Sequence, residues 1–222
     1  SKTSRHRTEY WHAEMEVAWA TFDQIMDYGE GVIKHVVKKV LEKNQDDLKI
    51  LGRDPKKLEP TVHKRFPRTT YDDMLKMLKE KHNLEIPWGK DLRTIEEDYI
   101  SEEYDTPVCV TRYPKEVKAF YMKEDPKNPD VVLGVDFIAP EHYGEIIGGS
   151  ERESDPEKIT KRLIEMGEKP DQYAFYLDTR KYGSVPHGGF GMGVERLISW
   201  ICGLDNIKDA IPFPRTMIRW KP

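Results

Sequence analysis

The stretch Pro186-His187-Gly188-Gly189-Phe190-Gly191-Met192-Gly193-Val194-Glu195-Arg196-Leu197-Ile198-Ser199-Trp200 decides how the rest of the chain is read. Four of the six residues 188–193 are glycine. A residue without a Cβ lets another backbone or a flat ligand come close. Val194, Leu197, Ile198 and Ile201 then follow at helical spacing, and Gly203 stands where a C-terminal cap is expected. A glycine-lined floor therefore runs into a helix whose first turn presents Arg196, a planar and permanently charged group suited to a phosphate or a base. A Gly-rich turn before a core helix with a surface arginine is the plainer alternative. The order of the glycines is not the Gly-x-Gly-x-x-Gly of a dinucleotide site, and no Gly-Lys-Ser/Thr follows as in a P-loop.

Outward from this stretch, bulk composition narrows the class. The 222 residues are 37% hydrophobic and 34% charged, which suits a folded, water-soluble chain rather than a disordered one. No apolar run approaches the roughly 18 residues of a membrane span, and no secretory signal pattern opens the sequence. Cys109 and Cys202 both sit in apolar runs without zinc spacing, so reduced core thiols and a cytoplasmic setting are expected. The net charge of −4, with both signs interspersed, argues against a general nucleic-acid-binding surface but leaves room for a local basic path.

Toward the N-terminus, Glu14 and Glu16 alternate with Ala13, Met15 and Val17, the period of a strand with one acidic face. Thr21 can cap a long helix to Asn44 with Phe22, Ile25, Met26, Ile33, Val36, Val37, Val40 and Leu41 as its apolar stripe, weakened locally by Gly29 and Gly31. Residues 45–68, with Pro55, Pro60 and Pro67, read as a long connection with little regular structure. Thr70 caps a short helix carrying Met74, Leu75 and Leu78, and a further helix is expected over Leu92–Ile100. The region 45–106 reads as an insertion or a subdomain beside the core. Residues 107–111 and 117–122 suggest an antiparallel pair, 131–138 a third strand and 145–152 a fourth. Pro156 opens a helix with Ile159, Leu163, Ile164 and Met166 as its expected buried side, and Asp171–Thr179 reads as another.

A second constellation lies on the last pair of strands. Asp136 stands in an apolar run and Glu145 follows across a turn, so both carboxylates can face one pocket. Two such groups repel unless a cation or a proton is shared, and hard oxygen donors beside phosphates are what Mg²⁺ prefers. Two exposed acids on neighbouring strands would be the plainer outcome. Gly148 and Gly149 favour the pocket, since missing side chains allow close approach to the backbone.

Together these residues resemble the class II aminoacyl-tRNA synthetases of the aspartate/asparagine subgroup. Residues 188–196 resemble the third signature motif, Pro212-Phe213-Pro214-Arg215 also matches that subgroup, and Arg5-His6-Arg7-Thr8-Glu9-Tyr10 resembles the second half of motif 2. The match spans the chain but is dense only over 1–16, 136–152 and 186–215. The first half of motif 2, motif 1 and the anticodon-reading barrel have no counterpart, so the resemblance implies a catalytic domain, residues 1–222, cut before and within motif 2 and unable to complete adenylation alone. The implied fold is α+β: a mixed, mostly antiparallel sheet flanked by helices.

The resemblance also implies roles. His6 and Arg196 would act on the ATP phosphates as catalytic groups, with Tyr10 stacking on adenine in place of phenylalanine, and Arg5, Ile146 and Gly193 completing the ATP site. Asp136 and Glu145 would hold Mg²⁺. Arg152 would bind the side-chain oxygen of the amino acid in a pocket with Glu14, Gly148, Gly149 and Gly189. The sequence Gly148-Gly149-Ser150-Glu151-Arg152 has the asparaginyl form. A glutamate at Glu14 suits asparagine too, because its carboxylate accepts from an amide and repels an acid. The implied protein is an asparagine-specific ligase, with ATP, asparagine and the acceptor end of tRNA(Asn) as partners and a homodimer as its assembly. An aspartyl enzyme, a relative making free asparagine and a non-catalytic binding module are the alternatives.

Overall fold

Thr21 starts the longest helix by local chemistry alone. In the computed structural model, which describes residue 5 and residues 8–215, the first strand is β1 (His12–Ala18) and the helix is α1 (Phe22–Lys43). The Thr21 hydroxyl accepts from the Gln24 amide at 3.4 Å and the Gln24 side chain accepts from the Thr21 amide at 2.9 Å, a reciprocal cap. Phe22, Ile25, Met26, Ile33 and Val37 are buried along one stripe. Gly29 costs helix propensity but is needed there: a Cβ would lie 2.7 Å from Phe137 Cζ, so the helix can press onto the sheet only without one.

Residues 45–68 correct the expectation of an irregular connection. They form α2 (Gln45–Ile50), a 3₁₀ turn at Pro55–Lys57 and α3 (Glu59–His63). Pro55 and Pro60 occupy the first or second helical position, where a missing N–H is not needed. These pieces are too short to hold alone; Leu48 and Leu58, fully packed in the core, stabilise them by tertiary contact. Then come β2 (Arg68–Thr70), α4 (Tyr71–His82), capped by the Thr70 hydroxyl on the Asp73 amide at 3.1 Å, and α5 (Thr94–Glu102).

The remaining elements are β3 (Val108–Thr111), the hairpin β4 (Glu124–Asp125) and β5 (Asn128–Val132), β6 (Gly134–Ala139), β7 (Gly144–Glu151), α6 (Pro156–Glu165), α7 (Ala174–Lys181), β8 (His187–Gly193) and α8 (Val194–Cys202). The main sheet runs β1-β8-β7-β6-β3-β2, antiparallel throughout except for the parallel β2–β3 edge. The expected pairing of 107–111 with 117–122 does not occur. Both edges of β3 are taken, by β2 and β6, so residues 115–117 form a 3₁₀ turn and Met122 makes only an isolated bridge to Arg152. The run 131–138 is divided at Leu133 between β5 and β6. On α6, Ile159 and Leu163 are buried, but Ile164 and Met166 are 61% and 44% exposed and lie off the packed face.

Each face of the sheet has its own cover. α1 and α8 pack on one face, where Ile25, Phe137, Ile147, Phe190, Met192 and Trp200 share a core. On the other face, α4 and α5 cover the β3 end and reach the start of β7, with Tyr71, Leu78 and Ile100 against Val110 and Ile138. From Asp136 of β6 to β1, that second face carries no helix core among the described residues, and a cleft lies there. Among the described residues no helix is long and apolar enough to cross a membrane.

Candidate active site

The glycine run is a strand, not a turn. β8 pairs with β1 on one side and β7 on the other, which holds an otherwise poor strand former extended. Alternation then sorts its residues. Phe190 and Met192 enter the core, while Gly189, Gly191 and Gly193 fall on the cleft face. Gly148 of β7 faces Gly191 directly. A Cβ on Gly191 would lie 2.4 Å from His12 Cε1, and one on Gly148 would lie 2.8 Å from Glu145 Oε1. Gly149 faces the core side, where a Cβ would lie 2.9 Å from Phe190 Cβ, whereas on Gly189 a Cβ would meet the Met15 carbonyl at 1.9 Å and the Glu16 carboxylate of the second lobe at 2.7 Å.

Two lobes share this floor. The first, of about 290 Å³, is lined by Arg5, Tyr10, Glu145, Ile146, Gly193 and Arg196 among others. The second, of about 440 Å³, brings Glu14, Asp136, Glu145, Gly148 and Arg152 together. His12, Glu145, Gly148 and Gly191 line both, so the lobes adjoin. His6 lies outside the described residues.

In the first lobe, Arg196 stands in the first turn of α8 and its Nη1 donates to the Glu145 carbonyl at 2.6 Å. Both Glu195 carboxylate oxygens accept from the Trp11 amide, at 3.0 and 3.1 Å, which ties the start of α8 to the strand carrying His12. Arg5 is held by Glu97 and Asp98 of α5 and by the His142 carbonyl.

In the second lobe, Asp136 Oδ2 accepts from Lys118 Nζ at 2.5 Å, and that ammonium also lies 3.9 Å from the Tyr113 ring centre. Burial works against the Lys118 charge, but Asp136, Glu145 and Asp91 outweigh it and hold its pKa above the ordinary value. Burial first, and the Asp136 charge second, push Glu145 up to about 7 against the pull of Lys118 and Arg196. Arg152 donates through Nε to Glu16 at 3.0 Å and through Nη1 to the Ser150 hydroxyl at 2.7 Å, and lies 5.0 Å from the Tyr121 ring centre. Glu14 Oε1 is 2.9 Å from His12 Nδ1.

Nothing in the sequence pattern marks His12 or Tyr121 as a site residue, and Lys118 and Glu16 stand out only weakly. For Lys118 a signal exists: a charge inside an apolar run, the same signal that marks Asp136. The strand-like alternation of residues 117–122 masks it. Glu16 reads in the sequence only as the second acid of an alternating face.

The sequence profile of the class II tRNA synthetases (D, K and N) matches residues 1–217. The chain belongs to this family. Its α+β fold with a mostly antiparallel sheet is the one expected. Asparagine–tRNA ligase of Lactobacillus johnsonii is 51% identical over 222 residues, which is 100% of this chain and 51% of that protein. The ligase of Thermococcus kodakarensis is 46% identical over 100% of this chain and 51% of its own length. The crystal structure of asparaginyl-tRNA synthetase from Pyrococcus horikoshii complexed with asparaginyl-adenylate is 47% identical with a TM-score of 0.96, covering 100% of this chain and 51% of that one. Aspartyl tRNA synthetase from Entamoeba histolytica shares the architecture at a TM-score of 0.88 but only 26% identity, covering 100% of this chain and 46% of that one. The chain spans about half the length of the curated relatives it matches.

Proposed function

We propose that this chain forms the ATP- and asparagine-binding part of an asparagine–tRNA ligase. The observation that carries this reading is the meeting of Glu14 and Arg152 in one lobe that shares Glu145 and Gly148 with the lobe of Tyr10 and Arg196. The near-half identity to asparagine–tRNA ligases along the full chain supports it.

An amino acid in the second lobe and a nucleotide in the first would meet over Gly148 and Gly191. The asparagine carboxylate then attacks the α-phosphorus of ATP, the bond to the pyrophosphate oxygen breaks, and an aminoacyl adenylate forms. Such chemistry is mostly positioning and charge neutralisation, and no side-chain nucleophile is needed. Tyr10 and Arg196 offer two flat groups for the base. Arg152 binds the side-chain carbonyl oxygen and Glu14 accepts from the amide N–H. An aspartate would bring a second carboxylate against Glu14, which is the stronger kind of rejection.

Asp136 and Glu145 fit a divalent cation. Burial first and the Asp136 charge second push Glu145 up to about 7, a cost that a cation would relieve, and Gly148 leaves the space beside them open. Magnesium held there supplies neutralising charge to the triphosphate. In the whole protein the acyl group passes to the terminal ribose of tRNA(Asn); a homodimer and a cytoplasmic location are part of the same proposal.

Thermal unfolding with Mg²⁺ and non-hydrolysable asparaginyl or aspartyl adenylate analogues tests this. A ligand that binds only the folded state raises the midpoint according to its affinity. A rise with the asparaginyl analogue alone is expected. A rise with the aspartyl analogue alone points to an aspartyl or asparagine-making enzyme, and no rise with either removes the nucleotide-site reading.

A further inference from the structure

Arg53 lies in the loop after α2, and it is charged yet its side chain is only 6% exposed. Burying a guanidinium is costly unless its donors are used. Here Nη1 and Nη2 donate to the two carboxylate oxygens of Glu141, at 2.9 and 2.6 Å, and Nε donates to the Ile201 carbonyl at 3.2 Å. The paired bonds fix the planes of both groups. Ile201 belongs to the last turn of α8, where carbonyls run out of helical partners. Gly203 closes that turn at φ 70°, and a Cβ there would lie 3.0 Å from Arg53 Cδ.

Both partners lead back to the cleft. Glu141 sits in the turn between β6 and β7, where Glu141, His142 and Gly144 all have positive φ, at 60°, 66° and 69°. Non-glycine residues stay in that region only where their surroundings dictate it. Lys57 Nζ at 2.8 Å from Glu141, the His142 amide donating to the Ser101 hydroxyl at 3.0 Å, Arg5 donating to the His142 carbonyl and Asp98 at 3.6 Å from His142 Nδ1 also hold the turn. The turn delivers Glu145, whose carbonyl accepts from Arg196 at 2.6 Å, and Arg196 stands on the same helix as Ile201. The contacts close a ring: Arg53 to Glu141, along the turn to Glu145, across to Arg196, down α8 to Ile201, and back to Arg53.

We propose that Arg53 is a positioning residue for the nucleotide lobe: it fixes the β6–β7 turn against the end of α8 and so sets where Glu145 and Arg196 stand relative to each other. This rests on reading the first lobe as the nucleotide site.

Arg53→Met removes every donor while keeping most of the stem; Arg53→Lys keeps the charge without the fork. Leu163→Ala, in the separate α6–α7 cluster, serves as a destabilised control. Titration calorimetry of the full chain with Mg²⁺ and a non-hydrolysable ATP analogue is run well below every unfolding midpoint. Roughly tenfold or greater weakening is expected in Arg53→Met, as for a misplacement on the order of an ångström, with Arg53→Lys between it and the unchanged Leu163→Ala. Wild-type affinity in Arg53→Met, with only the midpoint lowered, overturns the proposal. Hydrogen exchange without ligand separates this failure from failure of the nucleotide reading. Should the unaltered chain bind no nucleotide, faster exchange in Arg53→Met confined to residues 141–146 and 196–204 still supports the clasp, and unchanged exchange there overturns it.

Discussion

One face of the main sheet has two halves, and they are built in opposite ways. Over β3 and the adjoining end of β6, Val110 and Ile138 project into an apolar layer closed by Tyr71, Leu78 and Ile100 of α4 and α5. Over β7 and β8 the matching positions are Gly148, Gly191 and Gly193, and among the described residues no helix covers them. Same sheet, same face, same alternation: side chains make a core in one half and their absence makes a floor in the other. Space for a ligand here is withheld volume on a rigid strand, held by pairing on both edges. The acids, Lys118 and the two arginines then stand around that floor.

If this contrast is right, damage to the covered half should cost stability and damage to the open half should cost binding. The largest expected effect is at Leu78. Leu78→Ala removes a fully buried side chain and should lower unfolding free energy by about 2–5 kcal/mol in urea titration, with affinity for a non-hydrolysable adenylate nearly unchanged. Gly191→Val should do the reverse. Its added atoms meet the ring of His12, a half-exposed side chain that can swing aside, and they fill the floor shared by both lobes. Calorimetry should show a loss on the order of a hundredfold, about 2.7 kcal/mol, with the unfolding midpoint barely moved. Loss of folding in Gly191→Val, or loss of binding in Leu78→Ala, would break the contrast.

A smaller, pH-dependent effect sharpens it. Burial would raise the Glu141 pKa, but bonds from Arg53 and Lys57 and their charges outweigh burial and hold it below the ordinary 4.5. A lowered folded value means stabilisation that is fully present above the unfolded value and lost as pH falls through the folded one. Glu141→Gln should therefore destabilise by about 1–3 kcal/mol at pH 7, and the difference from the unaltered chain should shrink below about pH 4.5. The smallest effect concerns the thiols. Burial pushes Cys109 up to about 12, and Cys202 is raised too but only partly buried. A thiol reagent at pH 8 should label Cys202 of the folded chain slowly and Cys109 only on unfolding.

Much of this contrast is legible in the residues themselves. The caps at Thr21 and Thr70 are local bonds with local signatures, and the structure forms both. Asp136 and Glu145 stand out as charges in apolar strands, and four glycines in six positions announce a close approach. What the glycines do not announce is a strand, because glycine has little strand preference and β8 exists by virtue of β1 and β7. Residues 117–122 fail for a related reason: their alternation suits a strand, but β2 and β6 already hold both edges of β3. Lys118 thereby escapes notice although it reaches Asp136. Over 45–68 the prolines read as breakers while acting as helix starters, and Arg53 gains its partners from residues 88 and 148 positions away.

On the proposed reading, an asparaginyl adenylate lies on the open glycine half of the sheet. Co-crystallisation of the chain with Mg²⁺ and a non-hydrolysable asparaginyl adenylate tests it most directly. The ligand is expected across Gly148 and Gly191, with the base between Tyr10 and Arg196 and the side-chain amide between Glu14 and Arg152. A ligand seated elsewhere, or an amide turned away from Glu14 and Arg152, would contradict that reading.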